Sequence, residues 1–524
     1  MIRRALLYAH TVRHLKLRQI TNRVARRVRP PRIDRRPAPP LRARQANPAA
    51  FIPAAPGHMG GASFTFLNQH RRLRWPDGWT DPGLSKLWRY HLHYFEWLTQ
   101  EPAMPTGEAG HVIGRWLADN PPAQGDGWEP YPLSLRIVAW VKFHLAGGAL
   151  PGEALDSLAL QTRMLAHAPE YHLMGNHLWA NAKALVTAGL FFDGTEPAAW
   201  RAQGQALLAD QIDEQILGDG GHFERSPTYH ALLLTDLLDL INLARAYGSA
   251  VPDLWQQTAM AMARWLRVMT RPDGRVPQFN DAAHGAAPPP DAVFAYAARL
   301  SLGVPAAPAP GLSVLPETGY FRYETPGYCL HGDCGPIGPD HIPGHAHADM
   351  LSFELSRAGH PLLVDTGTST YEQGRRRDRE RSTAGHNTVT VDGRDQSEMW
   401  AAFRVARRAR ICDRHWTETM VEASHDGYDR HGVRHRRRFA FDAGDIRLIE
   451  ELTGPRADRC TSISRLHFAP GCHPTLDRGR LWVDHTAISF EGADDIRLAA
   501  YDHAPDFNIL IPATVAEIRF RRRL

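Results

Sequence analysis

The spacing of apolar residues changes abruptly near residue 303 of this 524-residue chain. Between residues 85 and 300 apolar residues recur three or four positions apart, which is the spacing of one face of an α-helix. After residue 313 the apolar runs are short and alternate every second residue, as along antiparallel strands. The Pro-rich stretch VPAAPAPG separates the two patterns. Because no helix-length segments lie between the strands, the sequence excludes an alternating α/β fold.

The helical part consists of amphipathic segments joined by short polar turns. The segment TEPAAWRAQGQALLADQIDEQIL (195–217) places five apolar residues on one helix face, and Thr195 suits its N-terminal cap. Such segments stack as helical hairpins in a bundle, a solenoid or an α/α toroid. We assign residues 46–302 to this helical domain, 303–312 to a linker and 313–524 to an antiparallel β-sandwich.

Composition narrows the class of protein. The net charge is +5 with 22% charged residues, which is too mild to predict a nucleic-acid partner. Five scattered cysteines without a C-x-x-C pair read as reduced thiols. No apolar run reaches the ~18 residues of a transmembrane helix, and the N-terminus does not resemble a signal peptide. We expect a protein that is cytoplasmic or peripheral to the inner membrane.

The first 45 residues form a basic segment. They contain fourteen Lys and Arg residues and one acidic residue, Asp34. One interpretation is a solvated arm or a first helix that packs on the main body. The other is a basic amphipathic helix that makes peripheral contact with an anionic membrane. The sequence leaves both open.

Five segments concentrate polar residues of catalytic type beside apolar runs. They are MGNHLWANAKAL (174–185), FERSPTYHALLL (223–234), GHAHADMLSFEL (344–355), LLVDTGTSTYE (362–372) and RSTAGHNTVTVDGRDQS (381–397). In these segments the chain resembles the heparinase II/III polysaccharide lyases, over most of its length after the basic segment. The resemblance implies an α/α toroid followed by an antiparallel β-sandwich, in an α+β multidomain protein. It also implies cleavage of uronic-acid polysaccharides by β-elimination.

That reaction needs three groups. One must neutralise the uronate carboxylate, a base must remove the C5 proton, and an acid must protonate the departing O4. By resemblance, Asn176 neutralises the carboxylate with help from His177. Tyr229 is the catalytic acid, and the base is His345 or Tyr229 itself. The residues alone also allow Asn176 to be a helix cap and Tyr229 a packed aromatic.

The motif GHAHAD places two histidines one residue apart, with an aspartate two positions after the second. If a strand began this early, His345 and His347 would share a face. The resemblance separates their roles, because it makes His347 a metal ligand together with Asp365 and His386. Two imidazoles and a carboxylate suit a structural zinc ion. The alternative is a pair of solvated loop histidines.

Four residues near these motifs are candidates for contact with an anionic polysaccharide. They are His230, Arg225, Arg377 and Arg381. Arginine suits carboxylates and sulfates because its guanidinium binds them in bidentate fashion. The alternative for the two arginines of EQGRRRDRERST is a solvated charged loop.

Two other classes of function remain open. A glycoside hydrolase on the same scaffold needs two carboxylates, for which Glu224, Asp236, Asp273 and Asp281 are available. A non-catalytic glycan-binding or assembly protein would not need Tyr229 together with a catalytic histidine. The start of the chain resembles the signal-less family members associated with bacterial cell-surface polysaccharide, which implies an exopolysaccharide substrate. Asn280 and Asp281 lie on a loop between toroid helices, which either edges the cleft or forms a turn, and they are left out of the predicted site.

Overall fold

The computed structural model describes residues 2–28, 31–442 and 444–524. The α-helices of this part of the chain are α1 Ile2–Val12, α2 Leu17–Val28, α3 Lys86–Tyr94, α4 Thr106–Asp119, α5 Pro130–Leu145, α6 Gly152–His167, α7 Gly175–Phe191, α8 Thr195–Gln215, α9 Pro227–Ala246, α10 Asp253–Val268, α11 Pro290–Arg299 and α12 Arg375–Glu380. Among the described helices, none has the length and apolar character that crossing a membrane requires.

The strands lie almost entirely in the second half of the chain. They are β1 Ser63–Phe66, β2 Gln69–Arg72, β3 Gly311–Leu315, β4 Tyr320–Glu324, β5 Tyr328–Asp333, β6 Phe353–Arg357, β7 His360–Leu363, β8 Val389–Val391, β9 Met399–Trp400, β10 Arg404–Val405, β11 Ile411–Thr417, β12 Met420–His425, β13 Arg434–Phe441, β14 Ile446–Thr453, β15 Ser462–His467, β16 Thr475–Asp477, β17 Arg480–Val483, β18 Thr486–Ser489, β19 Ala493–His503 and β20 Ile511–Phe520. Every pairing among them is antiparallel.

Helix α7 is the centre of the helical domain. Its sequence is apolar on nearly every side, and almost all of its residues are buried, as expected for a helix surrounded by others. It packs against α5, α8 and α9. The hairpins α3 to α11 form the α/α toroid that the resemblance implied.

Three larger sheets build the second domain. Their strand orders are β3-β4-β5-β6-β7, β11-β12-β13-β14 and β19-β20-β15-β8. The first two pack face to face through aromatic residues, with the ring of Phe439 5.0 Å from that of Phe321 and 5.8 Å from that of Phe353. Alternation of apolar residues buries one face of each sheet. The predicted fold class, a toroid followed by an antiparallel β-sandwich, is confirmed.

Two local predictions differ from the structure. Gly194, with φ of 114°, occupies the N-cap of α8, so Thr195 is the first helical residue and not the cap. Strand β6 begins only at Phe353, so His345 and His347 lie on the loop before it. Their common orientation therefore cannot come from strand alternation.

Candidate active site

The candidate catalytic residues meet where the toroid faces the sandwich. Asn176 lies in the first turn of α7, and Tyr229 lies in the first turn of α9. Helix α9 begins there because Ser226 caps it, accepting a hydrogen bond from the Tyr229 N–H, and proline follows at the first position. The Ser226 hydroxyl also donates to the carbonyl of Asp281 at 2.6 Å. The cap therefore joins Tyr229 to the loop that carries Asp281.

His345 packs directly on Tyr229. Their ring centroids are 4.0 Å apart. The Tyr229 hydroxyl lies 3.2 Å from the hydroxyl of Tyr371, a residue that the sequence did not single out. Burial of most of the ring raises the pKa of Tyr229 well above its usual value, and the neighbouring Tyr371 hydroxyl raises it further. Tyr229 therefore holds its proton at neutral pH.

Asp281 fixes the orientation of His345. Its carboxylate lies 2.9 Å from His345 Nδ1 and 2.9 Å from His347 Nε2, and Arg377 binds both of its oxygens. Burial alone would raise the pKa of Asp281, but Arg377 and the two imidazoles hold it well below its usual range. An ionised carboxylate only accepts hydrogen bonds. Neutral His345 therefore carries its proton on Nδ1 and has a lone pair on Nε2, the ring nitrogen that lies 3.6 Å from Glu224 Oε2.

Glu224 connects Asn176 to His345. Its Oε1 accepts the backbone N–H of Asn176 at 3.4 Å, and its Oε2 lies 3.6 Å from His345 Nε2 without a hydrogen-bond partner. Burial raises the pKa of Glu224. Gly175 is required here, since its φ is +55° and a β-carbon would lie 2.6 Å from Glu224 Oε1.

His177 lies on the same turn as Asn176. Its Nδ1 is 3.1 Å from Glu170 Oε2, and its ring is 4.5 Å from that of Tyr131. Burial opposes protonation of His177, but the Glu170 carboxylate outweighs it and raises the pKa. The Glu170 carboxylate therefore favours the protonated, positively charged form of His177, next to Asn176 in the chain.

A second cluster lies behind the first. His347, Asp349 and His386 are buried, and one ligand atom from each lies within 4.8 Å of the others. His347 Nδ1, Asp349 Oδ1 and His386 Nε2 are buried without a partner. Unsatisfied buried polar atoms are costly and rare, so three of them facing one another fit a metal ion.

Asp365 differs from its predicted role as a direct ligand. Its Oδ2 accepts a hydrogen bond from His386 Nδ1 at 2.6 Å, and its Oδ1 accepts from the Gly367 N–H at 3.0 Å. Asp349 takes the third place in the cluster. Asp365 stands behind His386 as Asp281 stands behind His347, and each carboxylate orients an imidazole.

The four residues predicted to contact the substrate are buried and hydrogen-bonded within the protein. The guanidinium of Arg225 donates to the carbonyls of Thr318 and Phe223, and that of Arg381 donates to the carbonyl of Ala346. The remaining two are also occupied: His230 Nε2 bonds the Met262 carbonyl at 2.9 Å, and Arg377 binds Asp281. None of the four is more than 8% exposed. These hydrogen bonds make the four side chains part of the protein framework around the site.

Two family models match the chain in succession. "Heparinase II/III N-terminus" matches residues 84–294, and "Heparinase II/III-like, C-terminal" matches residues 307–523. The two matches divide at the boundary between the toroid and the sandwich. The chain belongs to the heparinase II/III-like family.

Relatives of this family member carry two kinds of name. FtsZ-localized protein C of Caulobacter vibrioides is 27% identical over 401 residues, covering 71% of this chain and 65% of that protein. A heparin-sulfate lyase of Bacteroides stercoris is 29% identical over 376 residues, covering 59% of this chain and 55% of that protein. The chain thus spans less than two thirds of the length of these curated relatives.

Solved structures share the fold. Heparinase III superposes with a TM-score of 0.67 at 18% identity, covering 86% of this chain and 78% of that one. The heparan sulfate lyase HepC from Pedobacter heparinus superposes with a TM-score of 0.59 at 19% identity, covering 88% of this chain and 80% of that one. The toroid and sandwich are therefore arranged as in these structures.

Proposed function

We propose that this protein is a polysaccharide lyase that cleaves a uronic-acid-containing glycan by β-elimination. The observation that carries the proposal is the ordered set Asp281–His345–Tyr229 beside Asn176. In this set His345 supplies an oriented lone pair, Tyr229 supplies a phenol that keeps its proton, and Asn176 supplies an amide. The heparin-sulfate lyase named among the relatives supports the same reaction class.

His345 is the group that fits the C5 base. Asp281 accepts its Nδ1–H at 2.9 Å, which leaves Nε2 free to take the proton. Positive charge that develops on the ring is stabilised by the buried carboxylate of Asp281. Glu224 lies 3.6 Å from Nε2, close enough to interact when the ring becomes protonated.

Tyr229 is the group that fits the acid. Its raised pKa keeps the phenol protonated, so it can pass a proton to O4 as that oxygen departs. The hydroxyl of Tyr371, 3.2 Å away, can reorient to stabilise the resulting phenolate. We assign the base to His345 and the acid to Tyr229 because Asp281 hydrogen-bonds the imidazole and not the phenol.

In this proposal Asn176 and His177 receive the uronate carboxylate. Loss of the C5 proton puts negative charge onto that carboxylate, and donors aimed there lower the barrier. The amide of Asn176 supplies donors, and the raised pKa of His177 favours its charged form. Glu170 holds the His177 ring, as shown by the 3.1 Å contact.

The metal cluster supports this site from behind. His347, Asp349 and His386 would hold a divalent ion, and zinc suits two imidazoles and a carboxylate. Such an ion would tie together the loops before β6 and β8. His347 shares the carboxylate of Asp281 with His345, so the ion would also steady the base.

A hydrolase is less well supported, since three of its four candidate carboxylates are engaged by cations. Asp236 binds Lys183, Asp273 binds Arg271, and Asp281 binds Arg377. Only Glu224 of the four lacks a Lys or Arg partner among the described residues. A hydrolase needs two carboxylates across the cleft, with distinct roles. A purely glycan-binding protein has no need for an oriented base beside a protonated phenol.

The glycan that we propose is an acidic bacterial exopolysaccharide or a glycosaminoglycan-like chain. A panel of uronate polysaccharides incubated with the protein tests the activity. Elimination creates a conjugated unsaturated uronate, so ultraviolet absorbance should rise together with new reducing ends. His345→Ala should abolish both signals while the protein stays folded. New reducing ends without the absorbance would show hydrolysis, and absence of both on every uronate would remove the lyase proposal.

A further inference from the structure

Helix α2 presents its apolar side to solvent. The residues of that side are spaced three, four and four positions apart, so they form one stripe along the helix. They are Leu17, Ile20, Val24 and Val28, with exposures of 75%, 41%, 56% and 72%. A surface helix of a globular protein normally turns such a stripe toward the core.

The polar side of α2 faces the body of the protein instead. Gln19 is 4% exposed, and its side-chain amide donates to the carbonyl of His341 at 3.2 Å. The guanidinium of Arg26 donates to the carbonyl of Ala168 at 3.0 Å. These polar contacts fix the rotation of the helix. The outward direction of the stripe is therefore imposed by the fold.

Helix α1 anchors the segment to the sandwich. The indole N–H of Trp400 donates to the Thr11 hydroxyl at 3.1 Å, and the ring of Tyr8 lies 4.8 Å from that of Trp400. Lys16 in the connecting turn pairs with Glu214 of the toroid. Since α1 and the turn are held on both domains, α2 is presented as a fixed surface.

The surroundings of the stripe are strongly basic. Residues 1–33 contain ten Lys and Arg residues and no Asp or Glu. On α2, Arg23 and Arg27 are exposed and lie on one flank of the stripe. Arginine side chains at such positions extend along apolar surface and keep the charge at its edge.

We infer that α2 docks on an anionic lipid membrane, with the stripe inserted and the arginines among the headgroups. Aliphatic side chains on one face of a helix and arginines beside them are the features of an interfacial helix. The exposed arginines of this basic segment complement an anionic leaflet. This resolves the two interpretations of the basic segment, because the helix both packs on the body and keeps a membrane-binding face.

The docking surface lies beside the candidate active site. Gln19 bonds His341, four residues before His345, and the guanidinium of Arg18 lies 3.4 Å from the centre of the Tyr171 ring. Tyr171 follows Glu170, the partner of His177. Docking through α2 therefore brings the cleft close to the membrane, where a glycan attached to or leaving the bilayer would be met.

Sedimentation of the full chain with vesicles tests the inference. The wild type should sediment with vesicles of phosphatidylglycerol and phosphatidylcholine, and much less with vesicles of phosphatidylcholine alone. Leu17→Ser combined with Val24→Ser should lower the affinity at least ~10-fold, because two inserted aliphatic side chains are lost. Arg23→Gln and Arg27→Gln should each lower it about 5-fold. Elevated salt should weaken binding as well.

A matched control is available on α10. Leu254 and Met260 are 43% and 38% exposed, so Leu254→Ser with Met260→Ser removes similar apolar surface elsewhere. It should bind vesicles as the wild type does, and all variants should melt like the wild type. Failure of the wild type to bind anionic vesicles would overturn the inference, as would undiminished binding by the stripe variant. A fall in oligomer mass caused by the stripe variant without lipid would overturn it too, since it would assign the stripe to a protein interface.

Discussion

Replacing Asp281 by asparagine is the most informative single perturbation of the candidate site. The change preserves shape but removes the negative charge that Arg377, His345 and His347 share. The side chains of Asp281 and Arg377 are both 0% exposed. The NH₂ group of the asparagine would also stand where a carboxylate oxygen had accepted hydrogen bonds, so one N–H donor would face another. Arg377 would remain buried with its charge uncompensated.

The expected loss of stability is large. Breaking a buried ion pair by removing one partner costs about 3–5 kcal/mol. The pKa of Asp281 lies well below its usual range in the folded protein. Its contribution is therefore present above the ordinary aspartate pKa of about 4 and is lost as pH falls through the lower folded pKa. The difference between wild type and variant should be full at neutral pH and should shrink in acid.

Urea denaturation at neutral pH and at about pH 2.5, between the unfolded and the folded pKa, measures both effects. The control is Asp502→Asn, because Asp502 pairs with Arg376 at 3.0 Å while 44% exposed. That surface pair should contribute only about 0–1 kcal/mol. Elimination by Asp281→Asn, assayed where the variant is folded, should fall at least ~10²-fold because the base loses its orienting partner. Equal stability of the two variants at neutral pH would refute the role given to Asp281.

Three further predictions concern the acid, the metal and a second histidine. Tyr229→Phe should slow cleavage ~10²–10⁴-fold yet still exchange the C5 proton in deuterated water, as seen by NMR; loss of that exchange would assign the base to Tyr229. His347→Ala should lose bound zinc, measured by elemental analysis, and should melt at a lower temperature. His345→Ala should keep the zinc and the melting temperature of the wild type. Equal loss of zinc by the two variants would contradict their separate roles. Because the pKa of His177 is raised, its pairing with Glu170 stabilises the fold below the ordinary histidine pKa, and this stability is lost as pH rises through the raised value. Glu170→Gln should therefore cost more stability near about pH 6 than near about pH 9, and an equal cost at both would exclude the ion pair.

The spacing of apolar residues along the chain was sufficient to predict the fold class. Helical spacing up to residue 300 and alternation after 313 predicted the two domains, because each period depends only on neighbours along the chain. The cap of α8 was misplaced by one residue, as is usual where Gly194 and Thr195 both suit a helix start. Ser226 and Pro227 located the start of α9, and with it Tyr229.

Several partners of the candidate catalytic residues could not be predicted, because most of them are distant in sequence. Asp281 read as a turn residue, yet it lies 64 positions before the histidine that it orients. Tyr371 and Glu224 likewise gain their roles only through folding. Asp349 could have been proposed as a ligand, because it lies two positions after His347. Spacing alone, however, does not distinguish a carboxylate that binds the metal from one that hydrogen-bonds a metal-binding histidine.

The arginines that we predicted to contact the glycan are engaged within the protein, and the sequence could not show this for a related physical reason. A guanidinium suits a glycan carboxylate and a protein carbonyl equally well, so composition cannot say which it meets. Arg381 bonds the backbone around the GHAHAD loop, and Arg377 neutralises Asp281. Buried arginines of this kind hold the loops of the site in place.

Cleavage of a uronate polysaccharide in oxygen-18 water distinguishes β-elimination from hydrolysis. In β-elimination the C4–O4 bond breaks and O4 stays on the departing sugar. No oxygen from water enters either fragment during bond cleavage. We expect β-elimination, which gives fragments without oxygen-18 introduced by the enzyme, one of them carrying an unsaturated uronate. We expect no reaction with the His345→Ala variant. Fragments that carry one oxygen-18 atom at the cleaved bond and lack the double bond would contradict it.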